Sequence, residues 1–130
     1  MSNNETLTHK QLKIKRLADL IRDTAISDLS VSTRDLCVFT FQTLHNIKVD
    51  VRFFKSEAVS LVNRMYSYAR LYEIERKEEY LDAFKIKLED LRSNFRMMFE
   101  LKIIGQGSTY KMCKAFNKVD EEFNKLIKHN

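Results

Sequence analysis

Apolar side chains recur along this chain at helical intervals, most regularly between Lys77 and Ile103, where Leu81, Phe84, Leu88, Leu91, Phe95 and Met98 step by 3, 4, 3, 4, 3. A stripe of that spacing lies on one side of a helix and needs an apolar partner. The same rule predicts a helix over 53–75, with Phe54, Ala58, Leu61, Val62, Met65, Ala69 and Tyr72 inward. It predicts a last helix burying Cys113, Phe116, Val119, Phe123, Leu126 and Ile127. Leu36, Phe39, Thr40, Leu44 and Ile47 give a helix over 34–47. Leu12, Leu17, Leu20, Ile21 and Ala25 give an earlier one, capped by Thr6 or Thr8 and running to about Ser27.

Between these stripes the breaks are few. Asp28 to Thr33 reads as one, because serine and threonine hydroxyls compete for backbone groups, and Ser32 or Thr33 then caps the following helix. Lys48 to Arg52, with alternating Val49 and Val51, reads equally as loop, short extended piece or continuing helix. Gly105, Gln106, Gly107 and Ser108 form the clearest stop, with Gly105 as a left-handed C-cap and Ser108 as the next N-cap. The fold class expected is all-α: an antiparallel four-helix bundle over residues 31–130, with an N-terminal extension helix over residues 1–30.

Composition supports that expectation. The 130 residues contain no proline and only two glycines, and no Asn-Gly or Asp-Gly hairpin signal occurs. With no long apolar run and no hydrophobic signal core near the N-terminus, the chain reads as a soluble, cytoplasmic protein without a membrane partner. Cys37 and Cys113 are far apart and lack zinc-type spacing, so reduced, partly buried thiols are expected.

Catalytic patterns are missing. His9, His45 and His129 are scattered, with no nucleophile or acid in register. Gly105 and Gly107 lack the preceding strand and third glycine of a dinucleotide loop. Glu78, Glu79, Asp82, Glu89 and Asp90 lack the Glu-x-x-His pairs of a carboxylate-bridged metal site, so they read as a solvated face. A non-enzyme with no cofactor and no metal is expected.

The positive charge is more informative. The net charge is +5, which favours anionic partners. Lys111, Lys114, Lys118 and Lys125 fall within about 60° on the last helix, and Lys85, Arg92 and Arg96 within about 40° on the long one. Lysines opposite a core stripe can track phosphates or simply solvate the helix. Arg92 and Arg96 suit forked contacts to phosphate or carboxylate, or ion pairs with Glu89 and Glu100 on their own helix. Tyr66, Tyr68 and Tyr72, interleaved with Arg64 and Arg70, offer an aromatic surface for stacking or packing. Met97 and Met98 beside Phe99 read as core or interface filler.

The segment Leu88–Lys102 (LEDLRSNFRMMFELK), the glycine-serine turn, Tyr110, and the amphipathic end Val119–Ile127 together resemble a known pattern. It is similar to the four-helix-bundle family that includes the accessory variability determinant proteins of diversity-generating retroelements and the small proteins encoded by intervening sequences of bacterial ribosomal RNA genes. The resemblance covers roughly residues 53–128. The family's glycine and tryptophan near the chain end, and the proline of its first inter-helix turn, are absent here. The resemblance implies a non-catalytic, basic homo-oligomer, a pentamer, that associates with a reverse transcriptase and its template RNA or DNA. Arg92 and Arg96 match the family's helix-three arginines and become the leading contacts, with Lys85, Lys111, Lys114, Lys118 and Lys125 as support. The competing expectation is a protein-binding adaptor or mobile-element regulator without nucleic acid, using the surface around Tyr66 to Tyr72. A metal-dependent bundle enzyme is the third.

Overall fold

A computed structural model describes residues 8–12 and 26–128. Every element among the described residues is helical: α1 (Asp28–His45), α2 (Arg52–Glu75), α3 (Glu78–Glu100) and α4 (Gln106–Lys128). Thr8 opens a helical turn through residue 12. Its hydroxyl accepts from Gln11 N at 3.1 Å, and Gln11 Oε1 accepts from Thr8 N at 2.9 Å, a reciprocal cap. The remainder of the expected extension helix lies outside the described residues. Among the described residues, no helix is long and apolar enough to cross a membrane.

Consecutive helices reverse direction. Ser27 N donates to Glu73 at 2.6 Å, Cys37 Sγ meets Val62 O at 3.5 Å, and Lys55 Nζ donates to Ile47 O at 3.2 Å, so α1 and α2 run oppositely. Asn94 Nδ2 donates to the Phe54 carbonyl at 3.1 Å while Tyr68 stacks on Tyr80, which fixes α2 against α3 the same way. Phe84 stacks on Phe123 and Phe95 meets Phe116 edge-on across α3 and α4. α4 returns to α1, so each helix touches two neighbours and no close backbone approach joins α1 to α3 or α2 to α4.

The apolar stripes on α2 and α3 fall where the spacing predicts. Ala58, Leu61, Val62, Met65, Ala69 and Tyr72 are buried, as are all six of Leu81, Phe84, Leu88, Leu91, Phe95 and Met98. Phe54 is half-buried.

Five local expectations fail, each for a physical reason. Asp28 to Thr33 is the start of α1, so the helix crosses the expected boundary between residues 30 and 31. Ser27, not Ser32 or Thr33, is its cap, accepting from Ser30 N at 3.2 Å. Ser32 and Thr33 instead donate their hydroxyls back to Leu29 O at 3.0 and 2.7 Å, which satisfies them inside the helix. The left-handed residue after α3 is Lys102 (φ 62°), not Gly105. Lys102 N bonds Phe99 O and Ile103 N bonds Met98 O, the paired closure of a Schellman turn. Gly105 lies just before α4 and its carbonyl takes the first helical bond, from Thr109 N at 3.0 Å, so Ser108 lies inside the helix. On α4 the inward stripe is Met112, Phe116, Val119 and Phe123; Cys113 is exposed, Leu126 half-buried and Ile127 exposed. One residue is about 100° of helix, enough to turn Cys113 outward where Met112 turns in.

Candidate partner-binding cleft

The α3–α4 seam has by far the fewest close backbone approaches of the four. Helix spacing follows the size of the side chains between axes. Small Ala58 and Ala69 on α2 let neighbouring helices close in, whereas the phenylalanine pairs 84/123 and 95/116 prop α3 and α4 apart. The resulting cleft holds about 420 Å³. Phe95, Phe99, Ile104, Met112 and Phe116 supply its apolar lining, with Arg92, Arg96, Ser93, Thr109, Cys113 and Asn117 among its polar residues.

Both arginines singled out by the sequence line this cleft, in different states. Arg92 is 30% exposed and spans the seam: Nη2 pairs with the Asp120 carboxylate, Nε lies 3.5 Å from Glu89, and the guanidinium sits 5.1 Å over the Phe116 ring. It acts as a strut. Arg96 is 80% exposed and, among the described residues, pairs with Glu100 at 3.1 Å. The intrahelical pairs weighed from sequence are therefore both present, and the cross-helix bond to Asp120 is added to them.

The lysines do not join this site as one surface. Lys85 lies 3.1 Å from Glu89 with its Nζ 5.7 Å over Phe123. Lys114 sits 5.0 Å over Tyr110, and Lys111 is exposed on α4. Lys118 and Lys125 turn the other way, toward α1, where they clamp Glu122 at 3.3 and 3.1 Å. Glu122 is only 5% exposed and lines a crevice of about 280 Å³ shared with Asp28, Ser32 and Asp35. Burial alone would raise its carboxyl, but hydrogen bonds and charge from Lys125 and Lys118 more than offset that and hold it below the usual range.

The tyrosine surface is largely consumed by packing. Tyr72 is buried under Arg76, Tyr68 stacks on Tyr80, and Arg70 pairs with Glu73; Tyr66 is half-buried and Arg64 exposed. Cys37 is half-buried, and burial pushes its thiol up to about 11, which makes it a poor nucleophile. Among the described residues no group of three or more histidine, cysteine or acidic side chains is placed to hold a metal ion.

Sequence reasoning missed the apolar floor as a site, because Phe95 and Phe116 carry ordinary core spacing and Met112 lies one residue off the expected stripe. It also missed Asp120 and Glu122. Their signal is two carboxylates flanking an apolar stripe at positions 120 and 122, one leaning toward each neighbouring helix. No family model, curated protein or solved structure matches the chain.

Proposed function

We propose that the chain is a non-catalytic accessory protein, an antiparallel four-helix bundle with an N-terminal extension helix, whose α3–α4 cleft receives a partner that does the chemistry. The resemblance supplies that partner: a reverse transcriptase of a diversity-generating retroelement with its template RNA or DNA, bound by a cytoplasmic homo-oligomer, a pentamer. One observation carries the reading. Arg92 and Arg96, the residues that match the family's helix-three arginines, both line the cleft of about 420 Å³ between α3 and α4.

The test is to purify the chain, measure its mass by light scattering, and follow its retention on template RNA as salt rises. Oligomers that hold RNA at low salt and release it steeply as salt increases are expected. A monomer that retains no RNA at low salt overturns the reading.

A second reading, a protein-binding adaptor without nucleic acid, is favoured by charge already spent. Arg92, Lys118 and Lys125 are bonded to carboxylates of the chain itself. Neutralising Arg92 and Arg96 separates the two. If RNA affinity is unchanged while partner capture is lost, the adaptor reading holds.

A further inference from the structure

We propose that the open end of the α3–α4 cleft is a docking groove for an acidic amphipathic helix of a partner protein. The inference rests on the cleft being a partner site, and not on the identity of that partner.

The groove is bounded below by the Arg92–Asp120 strut and above by the turn that follows α3. Along α4 it runs from Thr109 to Asn117, about two helical turns, roughly 12 Å at 1.5 Å per residue. A helix of about that length presents bulky side chains at i, i+3 or i+4, and i+7 along one face, the usual way a helix fills an apolar groove. Phe99, 39% exposed, extends the apolar lining out of the cleft toward such a face.

Charge selects the occupant. Arg96 lines this end, exposed Lys114 and Lys102 stand one and two residues along the chain from its lining residues Cys113 and Ile104, and among the described residues the carboxylate paired with any of the three is that of Glu100. The Arg96–Glu100 pair is exposed to water, so exchanging Glu100 for a partner carboxylate costs little. Among the described residues no carboxylate pairs with Lys102 or Lys114. Nucleic acid fits this groove less well, because its floor of Phe95, Phe99, Met112 and Phe116 suits apolar side chains rather than a phosphate backbone. Affinity for phosphate comes from cations free to neutralise it, and Arg92 is tied to Asp120 and Glu89.

Cys113 supplies the readout, because it is exposed and lines the cleft, while Cys37 is half-buried against Val62. The full chain is labelled with a maleimide, with sites assigned by mass mapping. Labelling is repeated with a synthetic amphipathic peptide of about 14 residues, built from leucine, alanine and glutamate, and with its lysine-for-glutamate counterpart. The acidic peptide is expected to slow Cys113 labelling saturably. Arg96→Glu should weaken that protection by about tenfold. Asn117→Trp, which fills the groove from an exposed position, should abolish it with helix content unchanged; if that variant misfolds, Arg96→Glu still decides.

No protection, or equal protection by both peptides, overturns the proposal. So does protection by a short single-stranded RNA in place of the peptide, or protection that grows with protein concentration alone, which would assign the groove to a second copy. Loss of template-RNA retention leaves this inference standing, and failure of the peptide leaves the RNA reading standing.

Discussion

Helix α3 offers one continuous stripe to two neighbours, and what it meets differs on each side. Towards α2, a helix that carries two small buried residues, Ala58 and Ala69, its Asn94 amide reaches the Phe54 carbonyl and its Tyr80 stacks on Tyr68 at the far end. Against α4 it finds aromatic rings across from its own and a single charged strut. The first arrangement closes the seam. The second holds it open, and Phe99, Arg96 and Cys113 come to line a cleft. Regular spacing on α3 therefore specifies that the helix packs, while the size of the residues on the opposing helix decides how closely.

The largest test of this contrast is truncation on either side. Leu88 is fully buried, and Leu88→Ala is expected to cost about 2–5 kcal/mol in urea unfolding, through lost transfer energy and the cavity left behind. Phe99→Ala removes a larger side chain from the open seam and is expected to cost below about 1 kcal/mol. Equal losses would mean that the cleft is as well packed as the core.

Acid should act on the closed seams of α1. Burial alone would raise the Glu73 carboxyl, but the Ser27 and Ser30 hydroxyls, the Ser27 N–H and Arg70 together hold it below its ordinary value of 4.5. Glu122 is lowered from the same value. A carboxyl whose folded value is depressed contributes stability that is fully present above its unfolded value and is lost as pH falls through the folded one. Stability should thus be flat above about pH 5 and fall below about 4.5. Glu122→Gln should flatten that fall and lower stability at neutral pH. An acid profile identical in wild type and Glu122→Gln would show that the Glu122 carboxylate, paired with Lys118 and Lys125 on its own helix, is not a source of the acid sensitivity.

The strut is the next smaller effect. Arg92 and Asp120 are each about one-third exposed, so water screens part of their attraction, and a double-mutant cycle on the two alanine variants should give a coupling of about 1 kcal/mol. Arg96→Ala, at 80% exposure, should stay within about 0.5 kcal/mol of wild type. A coupling near zero would mean that the phenylalanine pairs alone hold α3 and α4 in register.

What the chain's pattern reveals and conceals follows from the range of each interaction. The stripes of α2 and α3 are legible because they depend only on residues three or four apart, and all six inward residues of α3 are recovered. The start of α1 is not, since the rule that serine and threonine break helices omits that Ser32 and Thr33 can satisfy themselves on Leu29 O. The site is half legible. Arg92 and Arg96 stand out by type and face, and the pairs of Glu122 with Lys118 and Lys125 follow from i,i+4 and i,i+3 spacing on α4, whereas the bond from Arg92 to Asp120 and the burial of Glu122 against α1 need the register between helices that no local spacing encodes. Met112 in place of Cys113 is a single-residue error in the phase of a stripe.

The smallest effect is at the turn that closes the cleft, where local rules give a definite and wrong expectation. Glycine is the usual left-handed residue after a helix, yet Lys102 takes that conformation two residues after Glu100 ends α3. Arg76 does the same after α2. A cation beside a helix C-terminus is favoured by the helix dipole, which offsets part of the cost of a left-handed side chain. Lys102→Gly should therefore stabilise the chain by only about 0.5 kcal/mol, less than the full left-handed penalty, and should weaken acidic-peptide binding because it removes a cation from the groove's rim. Gly105→Ala should change stability by no more than about 0.5 kcal/mol, since its φ is not positive and an added Cβ meets nothing within 4 Å. If Gly105→Ala were instead the costly change and Lys102→Gly neutral, the turn would be built on the glycine, and the rim charge that selects an acidic partner would be misplaced with it.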